Sequence, residues 1–416
     1  MHVLFLHNNF PAQYRHVARH LAADKANKVV FASHRVPEKI PGVINMQFNP
    51  HRTGKSETHH YLRNFENAVI NGQSVFRLCI KLKNQGFSPD IICSHSGWGN
   101  SLYVKDVFPK ARLLSYFEWY YHAHGADADF LKDSNIGFDD AGRIRTKNAA
   151  LLMDLAACDW GQVPTQFQLS QIPDVFHGKL SRLHDGVDTD FFKPNPDASK
   201  IIGNLDLSDA AEILTYATRG MEPYRGFPEF MRAAALLMKK RPNLHVVVVG
   251  EDRVAYGKKL PDGDGWGKRM REELQPDPDR LHFTGHLSYG EYVNILQIST
   301  VQAYLTVPFV LSWSLIESLS CGALIVASDT APVQEVVTTG KNGFLADFFD
   351  HQAFAEKIET VLDTAPDLDH IRVAARQTVL DSYAHKDLLP RQLQLIHDVA
   401  AGRIPPGEKS ALPDPE

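Results

Sequence analysis

At 416 residues the chain exceeds what one ordinary hydrophobic core encloses, and two α/β domains of about 200 residues each are expected. A net charge of −5, from 44 basic and 49 acidic residues, argues against a nucleic-acid binder that works by phosphate neutralisation. Cys79, Cys93, Cys158 and Cys321 show no CxxC pairing and read as small core residues of a reducing compartment; no run reaches membrane-spanning length, so a cytoplasmic protein is expected.

The opening segment has too short an apolar core for a signal peptide and reads as a first strand, Val3–Leu6. Further short apolar runs at Val29–Ala32, Ile91–Ser94 and Leu113–Phe117 alternate with amphipathic stretches at Gln13–Ala22, Tyr61–Lys83 and Thr146–Ala157. That alternation predicts parallel strands joined by helical crossovers. After the first strand, Asn8 and Asn9 tolerate unusual backbone angles and offer amides, either for a ligand or for a plain turn. At the end of the third run, His95 and Trp98 offer a polar group and an aromatic face to a binding cleft, or else His95 is a histidine satisfied by the adjacent turn. Glu118 closes the fourth run among five aromatic residues, where a carboxylate is costly unless something pairs with it. His122 and His124 follow, and a metal reading of this His-x-His is set aside because no third ligand is evident. Asp106, Asp127, Asp129, Asp139 and Asp140 lack a calcium-loop spacing, and no strand carries a DxD triplet, so metal-independent chemistry is expected.

Residues 183–200 crowd Gly, Pro and Asp together and break the helical periodicity, as a linker does, with Phe191 and Phe192 as its anchor. The expected division is 1–190, 191–382, a helix at 383–402 that crosses back to the first domain, and a disordered tail at 403–416. In the second half, the strand Ile213–Tyr216 leads into a loop holding Arg219, Gly220 and Arg225, and two forked, permanently charged donors at a strand end can clamp a diphosphate. Four valines, Val246–Val249, run into Gly250 and Glu251, and Leu281–Thr284 into Gly285 and His286, so that backbone can approach a nucleotide there. The apolar run Thr306–Leu311 opens a helix capped by Ser312 or Ser314 and stopped by Gly322. Its first amides, from Val310 and Leu311 through Ser312, Trp313 and Ser314, suit a phosphate, and Glu317, about one turn in, suits ribose hydroxyls.

In this order the parts resemble family 4 of the retaining glycosyltransferases, over most of the chain and most closely in residues 183–345. LHDGVDTDFF is similar to that family's interdomain segment, ATRGMEPYRGF to its Arg-then-Lys diphosphate loop with Arg225 in the lysine's place, and LIESLSCGALIVASDTAPVQEVVTTGKNGFL to the end of its donor motif and beyond. The resemblance implies the GT-B architecture, two facing Rossmann-like domains with a cleft between them that closes over substrate. It implies that Glu317 is the second, ribose-binding glutamate of an E-x7-E motif. The first, which contacts the donor sugar, falls on Phe309. Glu118 stands where relatives place a histidine near the reaction centre, so Glu118, Arg219 and Arg225 are the candidate catalytic residues, with Asn8, Asn9, His95, Trp98 and His122 on the acceptor side. The implied co-substrate is a nucleoside diphosphate sugar, a UDP-sugar first and a GDP-sugar second, with no permanently bound cofactor. The implied acceptor is a hydroxyl of a glycan, lipid-linked or other, as in polysaccharide biosynthesis, and peripheral association with the inner membrane face stays open. Phe309 motivates the alternative of a non-catalytic nucleotide-binding relative, and a nucleotide-sugar epimerase of the same architecture is the other alternative.

Overall fold

The buried apolar runs become two parallel sheets in a computed structural model that describes residues 1–36, 38–403 and 405. Two units divide the chain: one holds Met1–Asp129, Asp133–Asp185 and the residues from Asp387 onward, the other Phe130–Lys132 and Gly186–Lys386. The chain passes between them at Asp185 and Gly186, inside the stretch where periodicity stops. Of the 403–416 tail, residues 404 and 406–416 lie outside the described residues.

Unit 1 contains strands β1 (His2–Leu6), β2 (Lys28–Ser33), β3 (Val43–Gln47), β4 (Ile91–His95), β5 (Arg112–Tyr116), β6 (Trp160–Val163) and β7 (Leu180–Arg182). They pair in the order β3-β2-β1-β4-β5-β6-β7, all parallel. Successive side chains point to opposite faces, so Leu4, Leu6, Val30, Ile92 and Leu113 pack against the helices Arg63–Asn84 and Ala149–Ala157. Val3, Phe5, Val29, Phe31, Ile91 and Leu114 pack on the other side, with the helices Arg15–Ala23 and His385–Ala400. Burial on both faces is why these strands read as unbroken apolar runs.

Unit 2 opens with a short antiparallel pair, β8 (Ile201–Ile202) and β9 (Leu205–Asp206), followed by β10 (Glu212–Gly220), β11 (Leu244–Glu251), β12 (Leu281–Gly285), β13 (Val301–Tyr304), β14 (Ile325–Ser328) and β15 (Phe344–Ala346). The six-stranded sheet runs β12-β11-β10-β13-β14-β15, again parallel. In both units the chain starts mid-sheet, winds outward in one direction, then returns to build the other half. The neighbours β1 and β4, and β10 and β13, are therefore topological switch points, where crossovers leave to opposite faces and a crevice opens beyond the strands' carboxyl ends.

One expected helix, Thr146–Ala157, is instead two, Phe138–Lys147 and Ala149–Ala157. The break falls at Asn148, whose side chain accepts from the Tyr121 amide at 2.9 Å and donates to the Tyr121 carbonyl at 2.8 Å. Among the described residues no helix is long and apolar enough to cross a membrane.

Candidate functional site

In unit 2 the carboxyl ends of β10 and β13 carry most of the residues singled out from the sequence. Beyond Arg219, the turn Pro223–Arg225 ends at Gly226, whose φ of 61° suits glycine, and the helix Phe227–Lys240 begins there. Arg225 is buried: its Nη1 donates to Thr306 Oγ1 at 2.8 Å and to the Val310 carbonyl at 2.9 Å. Those two bonds fix the plane of the guanidinium, while Nε and Nη2 take no hydrogen bond among the described residues. Arg219 lies not in the loop expected from the sequence but in the last residues of β10; it is exposed, and its side chain carries no hydrogen bond or ion pair among the described residues. Both forks therefore keep donors for an outside anion.

The run after β13 is held from below, by the Thr306 amide on Ser328 Oγ at 3.0 Å, the Val307 amide on the Tyr224 carbonyl at 3.0 Å and the Ser312 amide on Tyr304 Oη at 2.9 Å. Ser312 caps the helix Trp313–Ser320 by accepting from the Ser314 amide. The amides of Val310 and Leu311 donate to nothing within the described residues. Two orphan amides ahead of a helix start, with Arg225 bonded to the Val310 carbonyl, are suited to an oxyanion. Gly250, with φ 127°, lets the end of β11 lie so close to β10 that a Cβ would stand 1.9 Å from the Thr218 carbonyl oxygen. Glu251 spends its carboxylate on Arg253 at 2.6 Å, which takes it away from a ligand. Gly285, with φ 65°, ends β12 in open space, and His286 beside it is exposed.

Phe309 is buried rather than presented to solvent. Its ring meets Tyr224 edge-on at 5.7 Å and Tyr256 at 5.1 Å, and the Arg225 guanidinium lies 5.2 Å from the Tyr256 centroid and 5.8 Å from that of Phe309. Beneath them Glu222, fully buried, accepts from the Tyr256 amide at 2.6 Å through Oε2, while Oε1 has no hydrogen-bond partner among the described residues. Burial pushes its carboxyl up to about 7, against the pull of the Tyr256 amide and the Arg225 charge. An unfolded glutamate releases its proton near about 4.3, so between there and pH 7 the folded chain binds more protons, and stability from this group is lost as pH rises. Urea unfolding at pH 5 and pH 8 is expected to show a smaller stability difference in Glu222→Gln than in wild type. An unchanged difference would show that this carboxyl does not titrate as described.

Glu317 is buried, its Oε2 accepts from Tyr292 Oη at 2.9 Å, and burial pushes its carboxyl up to about 7. Tyr292 comes from the helix Tyr289–Ile298, which Ser288 and Glu291 close with a capping box.

Unit 1 gathers a separate constellation at the ends of β1, β4 and β5. His95 is buried, stacks on Trp98 at 4.1 Å and on Tyr116 at 5.5 Å, and meets His7 edge-on at 4.8 Å. Its Nδ1 lies 2.9 Å from the Ser96 carbonyl, which requires a hydrogen on Nδ1, and its Nε2 faces Glu118 Oε2 at 3.4 Å. That contact is an ion pair only when the imidazole is protonated. Glu118 is half-buried, so part of its carboxylate reaches solvent. The loop bearing His95 and Trp98 is pinned from behind by Asp154, which accepts from Ser96 Oγ at 2.6 Å and Ser101 Oγ at 2.8 Å, and by Asn71, which donates to the Trp98 carbonyl at 2.8 Å. Asn71 also reaches Asn8 at 3.4 Å, whereas the Asn9 side chain is exposed. His122 is not part of this group: its Nε2 is on the Gln171 carbonyl at 2.7 Å. His124 pairs with Asp129 at 3.3 Å, and no set of three or more His, Cys, Asp or Glu side chains placed to hold a metal occurs among the described residues.

Glu222, Tyr256, Tyr292, Asn71 and Asp154 were not singled out in the sequence. Glu222 lies inside the Arg219–Arg225 loop, where a carboxylate between two arginines is the one signal that could have marked it.

Comparison of the whole chain with solved structures gives the fold class. Sucrose-phosphate synthase from Thermosynechococcus elongatus superposes with a TM-score of 0.72 at 16% identity, over 96% of this chain and 99% of that one. HepE from Anabaena, solved in complex with UDP, gives 0.66 at 14% identity, over 95% and 99%. The fold is α/β of the GT-B class. The sequence pattern described as "Glycosyl transferase family 4 group" matches residues 25–192, and that of "Glycosyl transferases group 1" matches residues 200–378. Together they span most of the chain, which belongs to the family 4 group of glycosyltransferases. A D-inositol 3-phosphate glycosyltransferase from Streptomyces scabiei is 28% identical over 211 residues, which are 49% of this chain and 45% of that protein. The chain thus matches less than half the length of this curated relative.

Proposed function

We propose that unit 2 binds a nucleoside diphosphate sugar, UDP-linked first and GDP-linked second, and that the enzyme transfers the sugar to a hydroxyl of a glycan or lipid-linked acceptor with retention of anomeric configuration. The observation that carries this reading is the convergence, at the β10/β13 switch point, of the Arg225 fork, the orphan amides of Val310 and Leu311 and the Glu317 carboxylate. The UDP complex of HepE, a protein of the same fold, supports the choice of base.

In this reading Arg219, Arg225 and the two amides stabilise the charge that grows on the leaving diphosphate, where a transferase gains most. The bond from the anomeric carbon to the phosphate oxygen breaks, the bond to the acceptor oxygen forms on the same face, and the acceptor's proton passes to the departing phosphate. Glu118, paired with His95 in unit 1, is the candidate group for orienting an acceptor hydroxyl or the transferred sugar. A second reading, nucleotide binding without turnover, draws on Phe309: its buried ring offers no carboxylate to a sugar. Incubation of the purified protein with UDP- and GDP-sugars, with and without glycan acceptors, separates the two. Release of UDP that rises with acceptor supports transfer; binding with no release at any acceptor supports the second reading.

A further inference from the structure

We propose that Tyr292 is a positioning residue for the nucleotide site: it clamps one oxygen of Glu317, favouring the ionised carboxylate and holding it in the orientation that a vicinal diol needs. This rests on the assignment of Glu317 to the ribose. Tyr292 Oη donates to Glu317 Oε2 at 2.9 Å, and the ring of Tyr292 packs on Phe192 at 6.1 Å, which fixes the phenol's direction. The Glu317 carboxylate takes no other hydrogen bond among the described residues, so Oε1 and a lone pair of Oε2 are left to accept two hydroxyls.

Among the described residues no cation is bonded to Glu317 to do the same task. The helix Tyr289–Ile298 brings Tyr289 and Tyr292, and the end of the Glu317 helix brings Cys321. The helix Asp369–Ser382, packed against it, brings Arg372 and Arg376, whose guanidinium groups are bonded to the carbonyls of Gly322, Thr300, Ser320, Phe192 and Thr189. A phenol that donates to a buried carboxylate favours its charged form and so opposes the effect of burial. Burial pushes the Glu317 carboxyl up to about 7, and the Tyr292 hydroxyl opposes that rise.

The test is calorimetric titration of UDP between pH 5.5 and 8.5 into wild type, Tyr292→Phe and Glu317→Gln, each with a cooperative melt. Wild-type affinity is expected to climb as pH passes about 7, with a proton released on binding near neutrality. In Tyr292→Phe the midpoint of that climb moves up by about one pH unit, and affinity at pH 7 falls about tenfold. Glu317→Gln binds weakly at every pH. A Tyr292→Phe profile that overlays wild type, beside a weak Glu317→Gln, overturns the clamp and leaves the ribose assignment standing. Wild-type affinity in Glu317→Gln overturns both.

Discussion

Arg225→Met is expected to bind UDP at least a hundredfold more weakly than wild type while keeping a cooperative unfolding transition. Methionine fills much of the arginine's volume against Tyr256 and Phe309 but removes its charge, the two bonds that orient it and the donors left for a diphosphate. A hydrogen bond to a charged group contributes about 1.5–3 kcal/mol, and two of them to a diphosphate correspond to roughly 10²–10⁴ in affinity. Arg225→Lys should fall between, since a lysine keeps the charge but not the planar fork that reaches Thr306 and Val310 while still presenting Nη2. Glu222 makes the loss of charge worse: its buried carboxyl then loses the stronger of the two guanidinium charges that offset its burial, and some stability goes with the affinity. Calorimetric titration and urea unfolding of the three proteins separate these effects. UDP affinity in Arg225→Met equal to wild type would remove Arg225 from the diphosphate site.

Glu118→Gln has the second large effect, on turnover. The amide keeps the size of the carboxylate but cannot share a proton with His95 Nε2, and general acid–base or orienting groups of this kind contribute typically about 10²–10⁴ in rate. The expected result is UDP affinity within a factor of about two of wild type and transfer slowed at least about a hundredfold. His95→Gln, which also empties the stack with Trp98 and Tyr116, should slow transfer as well and in addition lower stability. Full transfer activity in Glu118→Gln would take that carboxylate out of the mechanism.

Much of the fold was legible because the central strands of both sheets are buried on two faces, so Val3–Leu6, Ile91–Ser94 and Val246–Val249 announce themselves as apolar runs. The strands missed are of a different kind. β6 and β7 are four and three residues long, and β3 is half-exposed along its length, so none shows a period or a run. The backbone at the unit 2 strand ends was legible for a local reason: glycines at strand ends, a serine before a helix and arginines close to a strand end each mark themselves within a few residues. What stayed hidden depends on partners far along the chain. Tyr292 stands 25 residues from Glu317, Tyr256 stands 34 from Glu222, and Asp154 stands 58 from Ser96. No spacing in the sequence links such pairs; only the packing of one helix or loop on another does. Phe309 shows the same limit from the other side. The sequence shows a phenylalanine where the resemblance expects a carboxylate, but the ring's burial between Tyr224 and Tyr256, beside the guanidinium of Arg225, follows from three separate loops coming together.

The central claim is that one end of the unit 2 sheet holds a nucleoside diphosphate, and a crystal structure of the protein with UDP tests it most directly. The account predicts diphosphate oxygens within hydrogen-bond distance of Arg225 and of the Val310 and Leu311 amides, with the ribose hydroxyls on Glu317. A diphosphate bound away from Arg225, or a ribose that leaves Glu317 with Tyr292 as its sole partner, would contradict it.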